Sequence, residues 1–197
     1  DFCLSRGLGD VYKRQELLRT VELPVAHTDD FEHILNSALT ALASLQDELV
    51  DAGPLAGITL GLPLSATLGA VGLQTPSGRA GWMGFPAKDW LEERLGVPVH
   101  VENDVNLMAL GEQLERHDAP DLMLLHAGEG IGVGVVAAGT LVRGNTGQAG
   151  EIAHVPAIRR PDEPCLCGNV GCLGAVASVP GILKMLRAEG IDVTSFD

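Results

Sequence analysis

Basic and aromatic residues are both scarce in this chain. Lys and Arg number 13 against 26 Asp and Glu, a net charge of −13, and Phe, Trp and Tyr together make up 4% of 197 residues. So acidic a surface repels phosphate backbones, which argues against a nucleic-acid-binding face on this chain by itself. No apolar run approaches the ~20 residues a membrane-spanning helix needs. A charged n-region followed by an apolar core and a cleavage site is also lacking, so the sequence reads as cytoplasmic. Low-complexity tracts and internal repeats of roughly 20–50 residues are missing as well. What is present is an ordinary globular composition, 46% apolar and 20% charged, with 25 glycines. A chain of this length buries roughly 70% of its unfolded surface. Its glycine content implies many turns or close backbone approaches.

Regular patterning begins late. Residues 1–15, DFCLSRGLGDVYKRQ, show neither helical nor strand periodicity. They read as a non-native or disordered leader, nearer to translated linker than to a folded element. LRTVELP reads as a strand ending at Pro24. Asp29 then reads as a helix N-cap, with Glu32 completing a capping box. Phe31, Ile34, Leu35, Ala38, Leu42, Leu45 and Leu49 follow at helical spacing, and Gly53-Pro54 ends the pattern. GITLGL (57–62) suits a buried strand. Residues 63–86 are expected to form a turn-containing loop with one strand near Ala70–Gln74. AKDWLEERLG predicts a short helix closed by Gly96. VPVHVEN predicts a strand with Val97, Val99 and Val101 on one side, and NDVNLMALGEQLERH a helix opening directly after it.

The second half continues in the same manner. DLMLLHAG (121–128) reads as a strand, and GIGVGVVAAGTLVRG as two strands about a tight turn at Ala138-Gly139. Residues 144–174 read as loop, and Pro180–Gly190 as a helix with Pro at its start and Gly at its end. Strands alternating with helices indicate the α/β class. With Asp197 following so soon after the last helix, the chain reads as cut at both ends.

Three segments carry chemistry. ENDVN (102–106) is a polar cluster where an apolar strand gives way to a helix, the place where open α/β sheets present their ligands. Asp104 there could act as a general base and Asn103 could hold a hydroxyl; equally, either could simply cap the helix. The glycines at 128, 130, 132 and 134 could open backbone N–H groups to an anion. Alternating Gly and Val also suits a strand packed tightly on another backbone, and Glu129 in that loop would repel a phosphate. Finally, three of the four cysteines, Cys165, Cys167 and Cys172, lie within eight residues, and with His154 they give H-x10-C-x-C-x4-C. Three thiolates and an imidazole match a tetrahedral zinc site with all four positions filled by protein, hence structural rather than catalytic. The alternative is three buried reduced cysteines.

VENDVNLMALGE, the glycine hairpin, RGNTGQAGEIAH and CLCGNVGCLGAVAS, in that order, resemble the ROK family (repressors, open reading frames and sugar kinases) over about residues 16–197. The resemblance implies an actin-like, hexokinase-like (ribonuclease H-like) ATPase fold of two α/β lobes around a cleft. Residues 16–118 would belong to the N-terminal lobe and its linking helix, and 119–197 would begin the C-terminal lobe. It implies sugar binding by Asn103, Asp104, Glu151 and His154, and structural zinc at His154, Cys165, Cys167 and Cys172. In family kinases the residue at Asp104 deprotonates a sugar hydroxyl and Mg-ATP supplies the phosphoryl group, with Gly128, Gly130 and Gly132 as the phosphate-binding glycines.

Departures from the family pattern point away from catalysis. Glu129 stands where kinases usually have Thr between two glycines, Gly174 where a sugar-binding Glu is usual, and Pro76-Ser77 where Pro-Asn is usual. The family's first phosphate hairpin, Asp-x-Gly-x-Thr, would lie before residue 16, where the chain reads as cut, and so does not bear on the choice between regulator and kinase; the substitution at Glu129 does. The expectation is therefore the sugar-sensing part of a ROK-type transcriptional regulator. It would bind a sugar or sugar phosphate, act as a homodimer or higher oligomer, and reach DNA only through a helix-turn-helix lying upstream. A ROK sugar kinase of the glucokinase type is the alternative, and a zinc-stabilised fold without ligand a third reading.

Overall fold

The computed structural model describes residues 2–10, 14–24, 30–63, 66–67, 70–71, 84–116, 119–158, 160–165, 167–191 and 193. Two compact units divide the chain, one of Asp1–Ile58 with Gly96–Pro98, the other of Thr59–Leu95 with Val99–Asp197.

In the first unit, β1 (Phe2–Asp10) pairs antiparallel with β2 (Arg14–Leu23), with a register shift between Ser5 and Gly7. Part of this hairpin falls on residues 1–15, where the sequence predicts no element. Backbone ladder bonds need no alternation of side chains, so a two-stranded ribbon can form where periodicity gives no signal. Helix α1 (Phe31–Glu48) buries Phe31, Ile34, Leu35, Ala38, Leu42 and Leu45, the residues expected from their spacing; Leu49 is its C-cap. The N-cap is Asp30, not Asp29, which lies outside the described residues. Asp30 has the extended backbone a cap requires, and its carboxylate accepts from the amides of Glu32 (2.9 Å) and His33 (3.4 Å). Counted from Asp30, Glu32 is one position early for a capping box.

The second unit holds β3 (Ile58–Leu62, whose first residue belongs to the other unit), paired with β6 (Val99–Asn103). Between them lie the short antiparallel pair β4 (Ala66–Thr67) and β5 (Ala70–Val71), and helix α2 (Ala87–Leu95), which ends at Gly96 as expected. The strand predicted near Ala70–Gln74 is thus described only over its first two residues, and Pro76-Ser77 lies outside the described residues. α3 (Asp104–Glu115) leaves β6 without a linker. It packs on a three-stranded antiparallel sheet of β7 (Leu122–Ala127), β8 (Ile131–Ala137) and β9 (Thr140–Leu141). Ala109, Val136 and Leu141 form the centre of that contact, flanked by Leu110, Leu122 and Leu124.

The glycine–valine alternation has a packing role here. A Cβ on Gly134 would stand 2.5 Å from the Ala109 Cβ and 2.6 Å from the Val105 carbonyl oxygen, and one on Gly132 would stand 3.0 Å from Val105. The helix can lie this close only because the strand presents bare backbone. The β8–β9 turn at Ala138 (φ 49°) and Gly139 (φ 74°) has the paired positive φ of a type I′ hairpin. Within residues 144–174, expected to be loop, a 3₁₀ turn (Ile152–His154) forms, and a short helix α4 (Leu173–Ala177) begins at the end of that segment and runs past it. α5 (Val179–Ala188) then opens on the Ser178 cap. Among the described residues no helix is long and apolar enough to cross a membrane.

Candidate metal centre and ligand site

His154, Cys165, Cys167 and Cys172 converge although eighteen positions separate first from last: one ligand atom from each lies within 4.8 Å of every other. The Sγ atoms of Cys167 and Cys172 are 3.7 Å apart, and Cys165 Sγ is 3.7 Å from His154 Nδ1. A tetrahedral ion bonded to sulfur at ~2.3 Å places two sulfurs about 3.8 Å apart, and a sulfur and an imidazole nitrogen slightly closer. The four side chains therefore fit a cation of that geometry, and their chemistry is that of a soft-ligand site.

Local backbone explains why they meet. The Cys165 amide donates to the Asn169 carbonyl (2.9 Å) and the Gly168 amide to the Cys165 carbonyl (3.0 Å), folding a tight knuckle. Bridges Pro164–Val170 and Pro156–Cys172 zip its stem, and the Leu173 amide donates to the Val155 carbonyl (2.8 Å). Glu163, at the base, forms an ion pair with Lys184 of α5. Burial pushes the Cys172 thiol up to about 12, the Cys165 and Cys167 sulfurs adding to the rise. Burial also opposes ionisation of Cys167, but the Asn169 backbone amide and the neighbouring sulfurs and Asn169 side chain outweigh it and lower its pKa. With no cation to offset that burial, the Cys172 thiol stays protonated at neutral pH; a bound cation reverses this preference.

The second constellation sits where β6 becomes α3. Asn103 is the α3 N-cap, its side-chain oxygen accepting from the Asn106 amide (3.0 Å). The capping role weighed from sequence is thus real for Asn103. Asp104 is half-buried in the first turn, with Oδ1 accepting from the Val105 amide (2.8 Å). Glu151 is half-buried at the start of the 3₁₀ turn that carries His154, its amide donating to the Gln148 carbonyl (3.3 Å). At the β7–β8 turn the Gly128 amide donates to the Gly130 carbonyl (2.9 Å), the Gly128 carbonyl accepts from the Val179 amide (2.8 Å), and Glu129 is exposed. Gly132, inside β8, is occupied in the ladder and against Val105.

Sequence reading gave no role to Glu102, Asn106 or Arg143. Glu102 is 3% exposed. It accepts from the Asn103 amide (2.9 Å), the Asn106 side-chain amide (2.9 Å) and Arg143 Nε (2.7 Å), and His100 Nε2 stands 3.9 Å away. A carboxylate near the end of an apolar strand was the available signal, but its partner lies 41 residues on. Burial raises the Glu102 pKa, and the bonds from Asn106, Asn103 and Arg143 together outweigh it, so the group titrates below the ordinary glutamate range. A lowered folded pKa contributes stability that is complete above the unfolded value of ~4.3 and lost as pH falls through the folded value. Acid unfolding curves should therefore show a loss beginning below about pH 4.3 that Glu102→Gln removes. An identical acid limb in the variant contradicts this.

The structural likenesses show an actin-like, hexokinase-like ATPase fold. A ROK family glucokinase from Streptomyces griseus, solved in complex with glucose and AMPPNP, superposes with a TM-score of 0.75 at 26% identity, over 96% of this chain and 58% of that one. A ROK family transcriptional regulator, a homolog of the E. coli MLC protein, gives 0.71 at 25% identity, over 92% of this chain and 48% of that one. The family model described as ROK family matches residues 11–195, so this chain belongs to the ROK family. Among curated relatives, a glucokinase of Halalkalibacterium halodurans is 44% identical over 113 residues, 56% of this chain and 34% of that protein. A putative xylose repressor of Caldicellulosiruptor is 35% identical over 158 residues, 76% of this chain and 39% of that protein. The chain thus spans little more than a third of these curated relatives' length.

Proposed function

We propose that this chain is the sugar-sensing part of a ROK-type transcriptional regulator, with structural zinc held by His154, Cys165, Cys167 and Cys172. The observation that carries the regulator reading is Glu129. It occupies the middle of the Gly128–Gly130 turn between β7 and β8, and a carboxylate there repels a nucleotide phosphate that the glycines would otherwise cradle. Asn103, Asp104, Glu151 and His154 would hold sugar hydroxyls. With His154 Nδ1 facing the Cys165 sulfur, Nε2 is the ring atom left to reach a hydroxyl. Bound zinc supplies folding energy and fixes the loop that presents Glu151 and His154. In this reading residues 16–118 belong to the N-terminal lobe and 119–197 open the C-terminal one. The protein works in the cytoplasm as a homo-oligomer, and DNA is contacted by an upstream helix-turn-helix. Ligand affects DNA affinity only as far as it binds one lobe arrangement better than the other.

A kinase is the second reading, favoured by Asp104 at the α3 N-terminus and by the 44% identity to a glucokinase. Asp104 would then take the proton of the attacking hydroxyl, with Mg-ATP as donor and Gly128, Gly130 and Gly132 nearest its phosphates. A coupled ATPase assay on the full-length protein, with a panel including glucose and xylose, separates the two. The regulator binds a sugar by calorimetry with no turnover above the protein-free rate; robust phosphorylation overturns it.

A further inference from the structure

The two halves of the candidate sugar site come from distant sequence, Asn103-Asp104 from the β6–α3 junction and Glu151 from the loop after β9. One ion pair, between a buried carboxylate and a half-exposed guanidinium, links their elements. Glu102, side chain 4% exposed, receives Arg143 Nε at 2.7 Å while also bonding the Asn103 amide and the Asn106 side chain. From Arg143 the connection continues through backbone. The Ala149 amide donates to the Arg143 carbonyl (3.1 Å), closing the 143–149 loop on itself. The Gly150 carbonyl accepts from the Val133 amide (3.0 Å) and the Glu151 amide donates to the Gln148 carbonyl (3.3 Å). Every bond along the route from the Asn103 amide to the Glu151 amide is thus a protein hydrogen bond or the peptide chain.

We propose that Glu102 and Arg143 are a positioning pair, holding the loop of residues 144–150, and with it Glu151, in register with the Asn103-Asp104 turn. The pair need not touch sugar. Its consequence for sugar affinity rests on the sensing reading, while its consequence for the loop does not. Among the described residues the groups facing Glu102 are Arg143, His100, the Asn103 amide and Asn106. Of the described residues, Arg143 alone reaches it from the far loop, so Glu102→Gln, which can still accept from Asn103 and Asn106, removes the charge that holds Arg143. Arg143→Met removes the other partner, and Arg143→Lys keeps a cation.

The test uses the full-length protein and these three variants plus the Glu102→Gln/Arg143→Met double, read by amide exchange, bound zinc and calorimetric titration with glucose and xylose. Exchange over residues 143–151 should quicken about tenfold or more in Glu102→Gln and Arg143→Met, with zinc content and α5 exchange unchanged. Sugar affinity should fall about tenfold or more, Arg143→Lys should recover most of it, and the double variant should lose no more than the weaker-binding single. Unchanged exchange in the loop, losses that add in the double, or uniform quickening across the molecule each overturn the pair. If the unaltered protein binds neither sugar, the sensing reading fails on its own. The exchange comparison then still judges the pair, faster loop exchange upholding it and unchanged exchange overturning it.

Discussion

Replacing Cys167 with serine is expected to lower bound zinc from one equivalent to less than about half an equivalent and to cost several kcal/mol of stability, because structural zinc contributes its binding energy directly to folding. The cluster gives the reason. Cys167 lies 3.7 Å from Cys172, in a knuckle whose described stem consists of a few backbone bonds and two isolated bridges. Little apolar surface supports it: Val155, Ile158 and Val170 of the same segment are exposed. Without a cation, only weak sulfur contacts such as that between Cys167 and Cys172 draw the four side chains together. Metal analysis and thermal unfolding, each with and without chelator, read the result. A Cys167→Ser protein that keeps full zinc, or melts as the unaltered protein does, sinks the assignment.

Gly150→Ala is expected to be the most damaging single substitution in the loop of residues 144–150. Gly150 has φ 89°, and a Cβ there would stand 1.7 Å from the Val133 carbonyl oxygen. Val133 cannot give way cheaply, since its amide donates to the Gly150 carbonyl (3.0 Å) and its strand is paired with β7. Left-handed backbone strain of roughly 1–3 kcal/mol and overpacking of similar size add to about 4 kcal/mol. That lowers the melting temperature by roughly 10 °C in a chain of this size. Gly130→Ala is the control, because a Cβ there meets nothing within 4 Å. Equal melting of the two variants contradicts the close approach. Loss of sugar binding in Gly150→Ala alone would place the effect in the loop that leads to Glu151.

Much of the fold was legible because it is written in local periodicity. The α1 stripe from Phe31 to Leu45, the β6–α3 passage at VENDVN and the turn at Ala138-Gly139 each follow from patterns a few residues wide. The α1 cap was read one residue early because Asp29 and Asp30 are chemically equivalent in sequence. Only backbone geometry decides which side chain meets the Glu32 amide. The Phe2–Asp10 strand was missed because a ladder of backbone bonds leaves no mark on side-chain order. The glycine run was legible as two alternatives, and contact with α3 makes the packing role concrete for Gly132 and Gly134.

The candidate sites divide along the same line. His154 and the three cysteines could be named from sequence because soft donors so densely placed have few other uses, and the knuckle that gathers them is built from their own neighbours. The family likewise follows from motif order. Glu102 with Arg143 could not be named, since a carboxylate at the end of a strand is ordinary and its value depends on a guanidinium 41 residues away. Residue type and spacing fix chemistry and local shape, because these arise from neighbours along the chain. Which distant charges meet, and which glycines lie against a backbone, are set by packing, and packing is decided only when the chain has closed on itself.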